Sequence, residues 1–226
     1  MQYYDFTKTS FVRGVQCPKL IFLDRNKKNL ATPPDEATLE LFKKGRQFEK
    51  QVKDSFADGV DMGSYGIKFW TKQYAEATKR VLDKEFQCTI FEAGLFYQAE
   101  GILILTDVLR KNLDGTYDVF EIKLSSGINS AIEWDLSLQY YVCKRVLGDI
   151  KSFNVVLRED DANGNWVPKI VNKLDFVKSK EKEVDEYLKK FKPLLNGPEP
   201  QIPMGEQCEK PYKCNFIDYC KNHCQK

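Results

Sequence analysis

Beyond a break at Pro33-Pro34, Leu41, Gly45, Glu49, Val52 and Phe56 recur at steps of four, four, three and four, which lays them along one stripe of a helix. A second helix is predicted over TKQYAEATKRVLDKE. From Phe86 to Leu124 the rhythm changes. β-Branched and aromatic residues crowd together and imply strands, interrupted by NLDGTYD, where Asp114-Gly115 signals a hairpin turn. SAIEWDLSLQYYVCKRVLG returns to helical spacing, with Leu136, Tyr140, Cys143 and Leu147 on one stripe and Gly148 as the stop. KSFNVVLRED and GNWVPKIVNKL read as a further hairpin turning at Asn163-Gly164, and VKSKEKEVDEYLKKFKPLLNG as a charged amphipathic helix. Pro198, Pro200 and Pro203 then lead into a cysteine-bearing tail. This order of helix, strands, helix, strands, helix and tail predicts a mixed α/β protein with one central sheet. No internal repeat or low-complexity tract divides it, so residues 1–226 are expected to form a single domain.

Composition changes this picture only at its edges. With 42% hydrophobic and 13% aromatic residues the chain can bury a sizeable core. Its 35 basic and 33 acidic residues leave a net charge of +2, which excludes a polycation but leaves room for a local basic groove. No run approaches the ~18 apolar residues of a membrane span, and the N-terminus lacks the apolar stretch of a signal peptide. A cytoplasmic protein with no membrane partner is expected, its seven cysteines reduced. Thiols gathered at one end of such a chain point to a metal before they point to disulfides.

The segment DVFEIKLSSG carries the chemistry. Glu121 and Lys123 lie two apart, so an extended chain points both to one face, yet Val119, Phe120, Ile122 and Leu124 around them suggest a strand buried on both sides. Asp107, in ILILTDVLRK, lies on the strand before the turn. Two acids and a lysine across a hairpin can bind Mg²⁺ or Mn²⁺, position a water and neutralise a phosphodiester, with the lysine orienting that water or stabilising a pentacovalent transition state. The register decides the matter. A two-residue loop at Asp114-Gly115 would pair Asp107 with Ile122 on the wrong face, so the site requires an odd-length loop or a bulge. The alternative is a plain cross-strand ion pair. Glu49 stands inside the apolar stripe of its helix, where an unpartnered acid is costly. Either it shares a metal with Asp107 and Glu121, or it lies on the margin of the stripe and pairs with Lys53.

The tail reads CEKPYKCNFIDYCKNHC. The five-residue gaps between Cys208, Cys214 and Cys220 fit a zinc knuckle poorly and suit thiolates wrapped around a larger body such as an iron–sulfur cube. The fourth ligand could be Cys224, or Cys17 from the other end of the chain. Cys88 and Cys143 fall in strand and helix patterns as core residues. His223 is the only histidine, so histidine-based catalysis has almost no material. Arg25, Lys27 and Lys28, and Lys43, Lys44 and Arg46, could follow a nucleic-acid backbone or simply form solvated faces.

Taken in order, CPKL, the helix with GRQFE, the D…ExK hairpin, a following helix with a glutamine, and the three-cysteine tail resemble the RecB-like branch of the PD-(D/E)xK nucleases. More specifically, the chain looks like the CRISPR-associated (Cas-four-type) and AddB-type exonucleases that carry a four-iron cluster, a likeness running from Cys17 to Cys220. The resemblance implies a restriction-endonuclease-like core over about residues 35–195, with a central mixed sheet flanked by helices. It also implies an iron–sulfur-stapled cap formed by about residues 1–34 and 196–226. It makes Asp107, Glu121 and the carbonyl of Ile122 metal ligands, with Glu49 where the family commonly has histidine. Lys123 becomes the catalytic lysine, and Gln139 a residue that positions DNA or that lysine. Cys17, Cys208, Cys214 and Cys220 become ligands of a [4Fe-4S] cluster, four-thiolate zinc being the alternative. The family tyrosine four residues beyond the glutamine falls here on Cys143.

The function implied is a Mg²⁺- or Mn²⁺-dependent DNA exonuclease acting on ends or single strands in CRISPR adaptation or in recombination and repair, with a CRISPR integrase or recombination proteins as partners. No G-x-x-x-x-G-K-[ST] loop is present, so any unwinding motor would be another protein. The competing expectation is an iron–sulfur DNA-end-binding module with weak or no chemistry, in a defence or counter-defence complex. A purely structural metal-stapled protein is the third.

Overall fold

In the computed structural model, which describes residues 4–223, six strands form one mixed sheet in the order β1-β2-β3-β4-β5-β6. They are β1 (Gly59–Asp61), β2 (Cys88–Tyr97), β3 (Ile102–Lys111), β4 (Tyr117–Lys123), β5 (Ile150–Asp160) and β6 (Trp166–Asn172). β1 pairs with β2 and β4 with β5 in parallel, and the other neighbours are antiparallel. The helices are α1 (Lys8–Gln16), α2 (Lys19–Asn26), α3 (Glu36–Lys53), α4 (Lys72–Lys84), α5 (Ser130–Leu147), α6 (Leu174–Ser179), α7 (Glu181–Phe191) and α8 (Ile217–His223). Among the described residues no helix is long and apolar enough to cross a membrane.

The two faces of the sheet are covered by different helices, and alternation along β4 tells them apart. Phe120 and Ile122 join Val108 and Val156 beneath Phe48 and Val52 of α3. Tyr117 and Val119 join the larger core with Leu109, Ile132, Leu136 and Tyr140, on the side of α5. By the same period of two, Glu121 and Lys123 point towards α5. α5 buries eleven residues, so its wide apolar face reads as an inner helix.

α3 buries only Phe48 and Val52, roughly 3–6 kcal/mol between them. The stripe expected from Leu41 to Phe56 is therefore docked at one end only. Leu41 is exposed, and the helix stops at Lys53, before Phe56. The charged segment after β6 also differs from a single helix: it breaks at Lys180 into α6 and α7.

Two glycines set the geometry near the site. Gly101 (φ 65°) accepts from the N–H groups of Asp5 and Phe6 and sits so close to Asp5 that a Cβ would meet that carboxylate at 2.9 Å. Phe6 bridges Ile102 in parallel, which ties the N-terminal segment to the sheet just before α1. Gly115 (φ 79°) closes the β3–β4 hairpin, where the Gly115 N–H donates to the Asn112 carbonyl and the Asn112 N–H to Thr116.

The ends of the chain lie together. Leu20 and Leu23 of α2 pack with Phe216, Tyr219 and Cys220 around α8. The Thr32 N–H donates to the Asn215 carbonyl at 2.7 Å, Arg13 pairs with Asp24 at 2.7 Å and bonds Asn215, and buried Lys19 pairs with Glu199 at 2.8 Å.

Candidate active site

The β3–β4 hairpin turns through Leu113, Asp114 and Gly115, an odd-length loop. Its ladder runs from Lys111↔Tyr117 to Val108↔Phe120, so the next level sets Asp107 against Glu121. The ladder stops there, and Asp107 Oδ2 accepts the Ile122 N–H at 2.6 Å in place of a strand partner. The register that the chemistry requires is thus the one the turn produces.

Five charged side chains, Asp107, Glu121, Lys123, Asp135 and Lys8, gather around this level. Lys123 Nζ lies 2.6 Å from Glu121 Oε1 and also donates to Asp135 Oδ2 of α5. Lys8, the first residue of α1, places its ammonium 3.0 Å from both Glu121 oxygens. Glu121 is 1% exposed, so its charge depends on these two cations. Burial pushes the Glu121 carboxyl up to about 7, helped by Asp107 and opposed by Lys123 and Lys8. Burial likewise raises Asp107. For Asp135 burial acts upward too, but the charges of Lys123 and Lys8 outweigh it and hold that carboxyl down at about 2. Gln139 is fully buried one turn along α5, with its amide directed at Asp135 Oδ1 (3.3 Å). It thus bonds the same carboxylate that holds Lys123, and its side chain has no exposed surface.

The third expected acid stands apart. Glu49 comes from α3, on the other face of the sheet, and pairs with Lys53, which also holds Glu92. Burial raises the Glu49 carboxyl, but Lys53 outweighs it and leaves it below its usual range. Among the described residues, no three Asp, Glu, His or Cys side chains converge on a common metal-ligating point. Asp107 raises the Glu121 carboxyl through its charge, and Glu49 acts in the same way on Asp107.

Sequence reasoning missed Lys8, Asp135 and Glu92, whereas the pairing of Glu49 with Lys53 is one of its two readings. Asp135 carried a signal, since it lies four residues before Gln139 and shares its helix face. Glu92 carries a structural one: it is opposite Asp107 between the pairs Phe91↔Val108 and Ala93↔Thr106, and its φ is 54°. A non-glycine residue there stores strain of order 1–3 kcal/mol, which Lys53 and the hydrogen bond from Tyr74 to the Glu92 carbonyl hold in place.

Cys17, Cys208, Cys214 and Cys220 line one cavity of about 20 Å³ between the two chain ends, and none of them is in a disulfide. Cys17 is the C-cap of α1, and Cys214 Sγ accepts the Phe216 N–H at 3.4 Å. Cys224 lies outside the described residues. Of the two basic clusters, Arg25 and Lys27 are engaged by Asp5 and Glu199, while Lys28, Lys44 and Arg46 are exposed.

No family model and no curated protein matches the chain. Among solved structures, one from Eubacterium rectale described as a "putative exonuclease" matches all of this chain and 90% of its own, at 12% identity and a TM-score of 0.51. These two chains share a fold. The structure of SSO0001 covers 97% of this chain and 87% of its own, at 15% identity and a TM-score of 0.41.

A titration follows from the site. Glu121 keeps its proton in the fold up to about pH 7, whereas an unfolded side chain loses it near 4.5. Between those values the folded state binds more protons than the unfolded one, so stability falls as pH rises through that window. Melting of the metal-free protein from pH 5 to pH 7 is expected to show this decline, and Glu121→Gln is expected to flatten it. An equal slope in both proteins would refute the assignment.

Proposed function

We propose that the protein is a metal-dependent deoxyribonuclease of the PD-(D/E)xK type that hydrolyses phosphodiesters from ends or in single strands. The observation that carries this reading is the meeting of Asp107 and Glu121 at one level of a hairpin, with Lys123 paired to Glu121 and clamped by Asp135. The shared fold with the Eubacterium rectale protein supports it.

The donor set fits a hard cation in kind. Asp107 and Glu121 are two carboxylates at one level of the sheet, and burial makes the Glu121 charge costly enough that a bound cation would stabilise it. Asp107 and Glu121, with the Ile122 carbonyl, would hold Mg²⁺ or Mn²⁺, and Glu49 would join by exchanging Lys53. The ion supplies charge neutralisation at the phosphate and a more acidic water. The chain's own residues do the rest. Asp107 keeps the end of β4 in place through the Ile122 N–H. Asp135, a fixed anion at neutral pH, holds Lys123 beside Glu121. Lys123 remains an ammonium, because its burial is outweighed by Asp135, Glu121 and Asp107. It therefore stabilises developing phosphate charge and orients the attacking water, and does not act as a base.

The four cavity cysteines fit a thiophilic centre in kind, and we assign them to a [4Fe-4S] cluster that clasps the chain ends as a cap on the nuclease core. The small cavity means that seating it moves the thiols outward. CRISPR adaptation or recombination is the setting this reading suggests, with integrase or recombination proteins as partners.

A second reading, a DNA-end-binding module with weak chemistry, is favoured by one observation: two ammonium groups already compensate Glu121 while Glu49 is drawn to Lys53. The test is incubation of anaerobically purified protein with end-labelled single- and double-stranded DNA in Mg²⁺ or Mn²⁺. Shortening of the label that is lost with chelator and in Asp107→Asn is expected. DNA retention without cleavage in both metals would transfer the assignment to the binding module.

A further inference from the structure

Lys8 is placed against the grain of its own helix. A cation in the first turn opposes the helix dipole, so α1 gains nothing from it locally. Its position is nevertheless fixed from both sides. Before it, Phe6 is bridged to Ile102 and the Leu103 N–H donates to the Phe6 carbonyl at 3.0 Å. On either side of it, Thr7 and Ser10 form a reciprocal capping box, Ser10 N–H to Thr7 Oγ1 at 3.2 Å and Thr7 N–H to Ser10 Oγ at 2.8 Å. The side chain then runs inward, only 15% exposed, and its ammonium spans both oxygens of Glu121 at 3.0 Å each.

That is the place on the carboxylate where a bound cation would compensate it. Lys123 shares only Oε1 with Lys8 and is anchored on Asp135, so among the described residues Oε2 is held by Lys8 alone. A divalent ion on Oε2 would add two charges where Lys8 already sits, beside the ammonium of Lys123, and the repulsion is strong in so poorly solvated a setting. Lys123 is anchored by Asp135, so the group that can withdraw is the Lys8 ammonium at the end of its flexible four-carbon stem.

We propose that Lys8 is an intrachain counter-cation that holds Glu121 in the metal-free protein and is displaced when a divalent ion binds. This rests on the assignment of Asp107 and Glu121 as metal ligands. It adds a gate that sets the metal affinity of the site and keeps the buried acids compensated until the ion arrives.

The test reads metal binding, not cleavage. Mn²⁺ affinity is measured by calorimetry for the full chain and for Lys8→Met, Lys8→Arg and Asp107→Asn. Lys8→Met is expected to bind Mn²⁺ about ten-fold or more tightly than the natural protein. Lys8→Arg should remain weak and Asp107→Asn should lose binding. A Kd for Lys8→Met within two-fold of the natural protein, or weaker, would overturn the gate while leaving the metal site intact. Absence of Mn²⁺ binding in every protein would instead remove the metal site and the gate together. Should Lys8→Met fail to fold, acetic anhydride labelling of the natural protein decides. Lys8 is expected to be protected without metal and to react several-fold faster with saturating Mn²⁺, with Lys43 and Lys44 as unchanged references. Equal Lys8 labelling in both states would overturn the gate.

Discussion

Lys123→Ala is expected to lower DNA cleavage by about 10²–10⁴-fold at saturating metal, with the loss in kcat and little change in DNA binding. The expectation comes from where Lys123 is held. Its ammonium lies between Glu121 and Asp135, so it is aligned before any substrate arrives. Because it stays protonated, its contribution is charge and hydrogen-bond donation. Lys123→Arg should therefore keep part of the activity, whereas an uncharged isostere such as methionine should keep none. Asp135→Asn is expected to reproduce part of the loss, since it removes the anion that orients the lysine and leaves the lysine itself present. The truncation also removes one of two cations from Glu121 and the partner of Asp135. Some stability will fall with it, and the kinetics are measured well below the melting temperature of the variant. Retention of more than a tenth of the natural rate by Lys123→Ala would remove this residue from the chemistry.

Much of that site is legible in the sequence because it is local. Glu121 and Lys123 are two residues apart on a strand, and the hairpin fixes where Asp107 falls. The odd-length requirement is met by Leu113, Asp114 and Gly115. The mixed sheet and α5 also follow from period and punctuation, since strands rich in branched residues and a helix stopped at Gly148 are strong signals. What escapes is long-range. Lys8 is more than a hundred residues from Glu121, and nothing in KTSFVRG announces a buried cation. Asp135 looks like an ordinary polar residue on an amphipathic helix until the helix is docked. Glu49 is ambiguous for a physical reason: a residue on the margin of a half-docked helix can turn to the sheet or to its i+4 lysine, and here Lys53 takes it. The helical stripe of α3 misleads in the same way, because periodicity records which residues share a face and not how much of the helix meets a partner.

Cys17→Ser is expected to be the most destabilising of the cysteine substitutions when the protein is prepared anaerobically with its cluster. Cys17 is the one ligand candidate from the N-terminal end, and a centre shared with Cys208, Cys214 and Cys220 would close a loop of roughly two hundred residues. By the chain-entropy account of a cross-link, that closure is worth on the order of 5 kcal/mol. Contacts between α2 and α8, the buried Lys19–Glu199 pair and the Arg13 bonds already join the ends, so the variant should stay folded at low temperature and melt well below the natural protein. The expected record is loss of the visible absorbance near 400 nm together with a melting decrease of about 5 °C or more. Cys143→Ala should leave the absorbance unchanged, because Cys143 lies in the main core among α5 residues and not at the cavity. Zinc in place of iron on elemental analysis would keep the clamp and change its metal. A Cys17→Ser protein with natural absorbance and melting would transfer the fourth position to another group. The helix adds a further consequence. α1 carries Lys8 at its first turn and Cys17 at its C-cap, so one rigid element of nine residues spans the acidic site and the thiol cavity. Loosening the clamp at Cys17 should therefore free Lys8 as well, and Mn²⁺ affinity in Cys17→Ser is expected to move towards that of Lys8→Met.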